Sequence, residues 1–195
     1  MDWKRFFLKR KWDLVFVLFL AYMIFVPHNP VRLFLTNLVG KARTQIEGIV
    51  LNKNEQLQLD EKVWNWVITD TKGQIHRFDE FKGKPILINF WSVSCPPCVA
   101  ELPSLAALYQ SYNDKMSFLF VSLDSPSQAL QFTQQRHLEI PIYFRASNTP
   151  PIFRTQYIPT TIIIDSSGIM RVKKTGALNW NSNRIKRLLE QWGAK

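Results

Sequence analysis

The stretch NFWSVSCPPCVAELPSL, residues 89–105, holds the only two cysteines of a 195-residue chain, Cys95 and Cys98, with Pro96 and Pro97 between them. It continues the apolar run KPILINFWSV, residues 84–93. A continuous apolar run of that length reads as a strand buried on both faces. After Cys98, the positions Val99, Leu102, Leu105, Ala106 and Tyr109 recur at helical spacing. The cysteines therefore stand where a buried strand hands over to a helix. Proline is tolerated at the first helical positions, because no intrahelical N–H partner is needed there.

Four chemistries use a C-x-x-C pair. Zinc needs four ligands, and there is no second pair; His28, His76 and His137 are scattered without pattern. Covalent haem attachment needs His directly after the second cysteine, where Val99 stands. An inert buried pair is open, since free cysteine often behaves as a small hydrophobe. The position at a helix N-terminus favours the fourth, a redox-active dithiol. The partial positive charge and unsatisfied N–H groups there stabilise a thiolate on Cys95. Cys98, one turn on, is close enough to resolve a mixed disulfide. Two cysteines make no disulfide framework, so if they pair, they pair with each other. No metal or other cofactor is expected.

Around this stretch, strands and helices alternate. WNWVITD (64–70), a TKGQ turn and IHRF read as a hairpin, and TTIIID (160–165), SSG and IMRVKKTG (169–176) as a second. MSFLFVSLD (116–124) and IPIYF (140–144) are further strands. SPSQALQFTQQRHL (125–138) is a helix capped by Ser125, with Ala129, Leu130 and Phe132 inward. TPPIFRTQY (149–157) holds a brief helix, and WNSNRIKRLLEQW (180–192) closes the chain with Ile185, Leu188, Leu189 and Trp192 on one face. Apolar strands joined by helices mean an α/β domain with a covered central sheet. Residues 52–60 read as the linker into it.

The net charge is +10 and uneven: residues 1–54 carry nine Lys/Arg against three Asp/Glu, residues 55–195 sixteen against twelve. A nucleic-acid binder should show a basic, aromatic-interleaved face in its folded part. None is evident, and Arg171, Lys173 and Lys174 read as a solvated strand edge. The N-terminal excess precedes LVFVLFLAYMIFV (14–26), thirteen apolar residues without a break. As helix that run spans only about 20 Å of a ~30 Å hydrocarbon core. Phe6, Phe7, Trp12 and Tyr22 extend it, and Lys4, Arg5, Lys9, Arg10 and Lys11 ahead of it place its start on the cytoplasmic side. FVPHNPV offers no small-x-small cleavage site, so residues 1–29 are expected to be an uncleaved transmembrane signal-anchor. Asn29 and Pro30 then suit a helix start. The apolar stripe from Val31 to Val50 makes 30–54 an amphipathic juxtamembrane helix and linker, packing either on the domain or along the membrane surface.

KPILINFWSVSCPPCVAELPSL resembles the active-site segment of thioredoxin-like proteins, specifically the membrane-anchored TlpA/ResA type with its NFW-x-x-x-C-x-x-C-x-x-E-x-P pattern. Pro103 matches the helix-kinking proline five residues after the second cysteine. IPTTIIID matches the second signature, a cis-proline that faces the pair, here Pro159. The resemblance covers roughly residues 60–195. It implies a thioredoxin-like three-layer α/β fold with a central mixed sheet over 55–195. It also implies catalytic Cys95 and Cys98 forming a redox disulfide, with Trp91, Pro96, Pro97, Glu101 and Pro159 in support. Glu101 is expected to tune the thiols or relay a proton. Ser94 departs from these relatives, most of which have Trp there; Asn89 stands where ordinary thioredoxins bury an Asp, a position that is usually non-acidic in the TlpA/ResA type.

The activity so implied is thiol-disulfide oxidoreduction on protein thiols and disulfides outside the cytoplasmic membrane. Residues 14–26 would meet lipid, and a membrane electron-donor protein would supply reductant; cytochrome c maturation is one use in the family. Two alternatives stand beside a reductase: a disulfide-donating oxidant, and a thioredoxin-fold binding module without turnover. A peroxidase reading is weaker, since no Thr-x-x-Cys pattern is present and Arg136 and Arg145 lack that context.

Overall fold

The strand that delivers the cysteines, β4 (Ile86–Trp91), is buried along its whole length and lies near the middle of an eight-stranded sheet. The computed structural model describes residues 49–194. The expected membrane segment 14–26 and the helix from Pro30 to residue 48 lie outside them. Among the described residues no helix is long and apolar enough to cross a membrane. Before β4 come β1 (Leu57–Gln58), α1 (Glu61–Trp64), β2 (Val67–Asp70), β3 (Ile75–Arg77) and a 3₁₀ turn, Phe78–Phe81. After it come α2 (Pro96–Tyr112), β5 (Ser117–Ser122), α3 (Pro126–Gln135), β6 (Ile142–Arg145) and a 3₁₀ turn, Pro151–Phe153. The antiparallel hairpin β7 (Thr160–Ile164) and β8 (Ile169–Thr175) and the helix α4 (Asn183–Gln191) finish the fold.

The strands lie in the order β1-β8-β7-β4-β5-β6-β2-β3. β4, β5 and β6 run parallel and every other pairing is antiparallel, so the sheet is mixed. The parallel steps β4-α2-β5 and β5-α3-β6 proceed in one direction across the sheet. Crossovers of a single hand therefore put both helices on one face. The twofold alternation of strand side chains sorts the core. Leu87, Trp91, Phe118, Phe120 and Ile163 pack with Leu102, Leu105 and Leu108 of α2, Ala129 of α3, and Ile185 and Leu189 of α4. Ile86, Ile88, Phe90, Leu119, Val121, Ile162 and Ile164 face the other way, onto Trp64, Trp66, Phe78 and Phe153. The third layer is thus made of α1 and the two 3₁₀ turns rather than long helices.

Several expectations need correction. Residues 52–60 are not a free linker, because β1 pairs with β8 at Leu57↔Met170 and Gln58↔Ile169. Ile49 and Val50 do not continue a helical stripe. Ile49 is buried, Val50 bridges Val172, and the Leu51 N–H donates to the Arg171 carbonyl at 2.8 Å. The unpaired edge of β8 captures these β-branched residues. Trp64 is helical, not strand, since the Asp60 carboxylate caps α1 by accepting the Val63 N–H at 3.0 Å. The basic residues of β8 are not simply solvated: Arg171 pairs with Asp165 at 2.7 Å, and Lys173 donates to the carbonyls of Ile152 and Arg154, each at 2.9 Å. Ser125 does cap α3 as expected, but Thr133 is the buried partner of Ala129, while Leu130 and Phe132 are half-buried.

Candidate active site

Cys95 is the N-cap of α2, with Pro96 and Pro97 occupying its first two helical positions. Cys95 and Cys98 are joined by a disulfide, their Cα atoms 5.3 Å apart. The two are unequal. Cys98 is fully buried against the helical layer, whereas Cys95 is only half-buried. The Cys98 N–H points at the Cys95 sulfur, 3.3 Å away. Pro96 and Pro97 carry no N–H, so the helix start offers Cys95 fewer donors than its geometry otherwise allows.

The turn ahead of Cys95 is tied down by a residue the sequence reading passed over. Asp124, just after β5, accepts the Ser92 hydroxyl at 2.8 Å on one oxygen. Its other oxygen accepts the Val93 N–H at 2.8 Å and the Ser122 hydroxyl at 3.1 Å. Ser94, in the position where relatives carry Trp, bonds the Ser92 hydroxyl at 2.9 Å. Trp91 does not replace that ring: it is fully buried, packs its indole tilted against Phe132 and presents nothing to a docking partner.

On the far side, the Ile158–Pro159 peptide is cis, and the Ile158 carbonyl oxygen lies 3.7 Å from the Cys95 sulfur. Among the described residues neither the N–H nor the carbonyl of Ile158 makes a main-chain hydrogen bond.

Beneath the pair lies a buried polar network. Glu101 follows Cys98 by three residues, so both face inward from α2. Asn89 of β4 stands opposite Thr161 of β7 in register, which brings both side chains to the same face. The Asn89 amide donates to Glu101 at 2.8 Å and to the Thr161 hydroxyl at 2.9 Å. The other Glu101 oxygen accepts the Trp180 indole N–H at 3.0 Å and the Leu178 N–H at 3.1 Å. Burial pushes the Glu101 carboxyl above its ordinary value, and the donors from Trp180, Asn89 and Leu178 draw it only partway back. The structure thus gathers Cys95, Cys98, Glu101, Pro96, Pro97 and Pro159 at one end of the sheet, and leaves Trp91 in the core. Trp180 and Thr161 had no local signal: they come from segments remote in sequence. Among the described residues no group of three or more His, Cys, Asp or Glu could hold a metal ion.

Residues 59–173, more than half of the chain, match the AhpC/TSA family. The chain belongs to the AhpC/TSA family. Within this thioredoxin-like family it is similar to the thiol-disulfide oxidoreductase ResA of Geobacillus kaustophilus, 31% identical over 117 residues, or 58% of this chain and 67% of that one. The ResA of Bacillus cereus is 28% identical over 120 residues, 60% of this chain and 69% of its own. Among solved structures, a thiol-disulfide oxidoreductase of Bacteroides vulgatus aligns with a TM-score of 0.53 at 27% identity, covering 68% of this chain and 99% of that one. A secreted disulfide oxidoreductase of Mycobacterium tuberculosis shares the fold, with a TM-score of 0.57 at 18% identity over 67% of this chain and 99% of its own. This member of the AhpC/TSA family is a thiol-disulfide oxidoreductase of the ResA type.

Proposed function

We propose that this protein is a membrane-anchored, extracytoplasmic reductase of protein disulfides, working through Cys95 and Cys98. The observation that carries this reading is the asymmetry of the pair: Cys95 half-exposed at a helix N-terminus, Cys98 buried one turn behind it. In the dithiol form the Cys95 thiolate attacks one sulfur of a substrate disulfide. A bond from Cys95 to that sulfur forms as the substrate S–S bond breaks, and the departing thiolate takes a proton. The Cys98 thiolate then attacks the Cys95 sulfur, which re-forms the Cys95–Cys98 disulfide and releases the second substrate thiol. Two electrons and two protons have passed to the substrate. Glu101, buried on the same helix face as Cys98 and held above the ordinary carboxyl range, suits the role of taking the Cys98 proton. Ile158, its backbone unpaired beside Cys95, suits an antiparallel pairing with the substrate chain.

The direction is supported by the prolines. With no N–H on Pro96 or Pro97, the Cys95 thiolate is less stabilised than in pairs whose second intervening residue donates. A less stabilised thiolate makes the dithiol a better reductant. The anchor is residues 14–26, its basic flank cytoplasmic. A membrane electron-donor protein would return the pair to the dithiol, and the cysteines of apocytochrome c are one class of substrate.

The test is insulin-disulfide reduction with the redox potential of the pair. A potential near about −270 mV supports the reductase, and one near about −120 mV an oxidant. Cys95→Ser should abolish turnover, and Cys98→Ala should accumulate mixed disulfides with substrates. Wild-type turnover by Cys95→Ser would overturn the reading.

A further inference from the structure

Beside the disulfide opens a groove of about 530 Å³, lined by residues from four separate segments of the chain. Ile158 forms one wall, and through its carbonyl oxygen, 3.7 Å from the Cys95 sulfur, the groove adjoins the reacting pair. Phe90 and Phe153, themselves buried in the core, and Leu123, 42% exposed, give it an apolar lining. The charge at this groove is of one sign: Arg145 and Arg154 line it and no carboxylate does. Among the described residues neither arginine takes part in an ion pair. Arg145 is exposed at the end of β6, and Arg154 donates only its Nε–H, to the Thr149 carbonyl at 3.1 Å. Asp124, next to Leu123 in the chain, turns both oxygens to Ser92, Val93 and Ser122. Lys173, drawn down in pKa by burial, holds the Ile152 and Arg154 carbonyls and fixes the turn that carries Arg154.

A volume of this size admits one or two side chains of a bound segment. An apolar lining with two guanidinium groups outside any ion pair is complementary to an apolar side chain beside a carboxylate. We propose that this groove receives the part of a substrate protein flanking its disulfide, and that it selects segments in which an acidic residue stands next to an apolar one. The proposal rests on Cys95 being the attacking thiol. Leu123 and Phe90 take the apolar side chain, and Arg145 and Arg154 take the carboxylate. The selection acts on encounter and docking, so it weakens as salt screens the arginines.

The test uses the reduced full chain and peptides whose single cysteine carries a nitrothiobenzoate disulfide, read by release of the coloured thiol. The peptides differ only in having Leu-Glu, Leu-Gln or Leu-Lys placed two residues from the cysteine, on either side. The wild type should react with the Glu peptides roughly 3- to 10-fold faster than with the Lys peptides at low ionic strength, the range expected for one or two partly exposed ion pairs. The gap should narrow at high salt, and Arg145→Glu/Arg154→Glu should reverse the order. The single variant Arg145→Glu, at an exposed unpaired side chain, should narrow it even if the double variant misfolds. Arg184→Gln/Arg187→Gln, on α4 across the sheet, should keep the wild-type order. Equal wild-type rates, a preference that survives Arg145→Glu, or its loss in the α4 variant would each overturn the proposal. A wild-type chain that releases nothing from any peptide would instead overturn the reading of Cys95 as the attacking thiol.

Discussion

Glu101 can be removed in two ways that the structure distinguishes sharply. Its carboxylate is the acceptor for the Leu178 N–H and the Trp180 indole N–H, and it shares the Asn89 amide with Thr161. Glu101→Ala strands the first two donors in the core, while Asn89 keeps Thr161. Each stranded buried donor costs about 1–3 kcal/mol, so the substitution should cost about 2–5 kcal/mol of stability. Glu101→Gln keeps one oxygen for Leu178 and Trp180 and turns an NH₂ toward Asn89. The Asn89 Oδ1 is buried without a partner in the wild type. Rotating that amide by half a turn presents this oxygen to the new NH₂ and to the Thr161 hydroxyl, which then donates. One unpaired amide atom replaces another, so the cost should stay below about 1 kcal/mol. Charge adds a pH signature. The folded-state pKa of Glu101 lies above the ordinary 4.5. Its contribution is therefore complete below about pH 4.5 and is lost as pH rises through the folded value. Relative to Glu101→Gln, the wild type should lose stability as pH rises above about 4.5 and until it has passed the raised folded value. Urea unfolding of the oxidised full chain, comparing midpoints at equal slope, measures both effects. Equal losses for Ala and Gln, or a wild type that gains on Gln as pH rises, would refute the network as described.

Restoring a donor at the helix start should make the pair less reducing. Pro97→Ala adds an N–H beside Cys95, which should stabilise its thiolate and raise the potential by about 30 mV, one tenfold step in the exchange equilibrium, read by thiolate absorbance and glutathione equilibration. Asp124→Ala frees Ser92 and Val93, and the loss of several hydrogen bonds to a carboxylate should cost about 2–4 kcal/mol in urea unfolding. An unchanged midpoint would show that the turn holds itself. His76 sits between Asp70 and Glu80 at 3.4 and 3.0 Å. Burial pulls its pKa down, but the hydrogen bonds it donates to Glu80 and Asp70 outweigh that and hold the value above 6.5. Its contribution is thus present below about pH 6.5 and lost as pH rises through the folded value, and His76→Gln should flatten that part of the stability curve. The same cluster works in the opposite sense at low pH. Asp70 is held below 3.8 by the Gln74 and Lys72 N–H groups and His76 against burial, and Glu80 below 4.5 by the Arg77 N–H and His76, so their share fades in acid.

The sequence by itself determined what local chemistry determines. The apolar run ending at Trp91, the two prolines after Cys95 and the helical stripe beyond Cys98 place a buried strand, a helix start and a dithiol between them. Asp165 and Gly168 mark the turn of the last hairpin in the same way, by residue type at adjacent positions. These signals are legible because the groups that satisfy one another lie within a few residues. Where a segment's partner is remote, the sequence was silent or misleading: the edge of β8 draws in Ile49, Val50 and Leu57 across more than a hundred positions. The site follows the same division. Cys95, Cys98, Glu101 and Pro159 stand out by motif. The burial that raises the Glu101 pKa, and the Asn89 and Trp180 donors that partly offset it, exist only once β4, α2 and the segment holding Trp180, 79 residues from Glu101, pack together. The tertiary structure also decided that Trp91 is core and not surface, and that two arginines from different segments flank one apolar groove next to Cys95. Burial and charge environment are properties of assembled surfaces, and no window of sequence contains them.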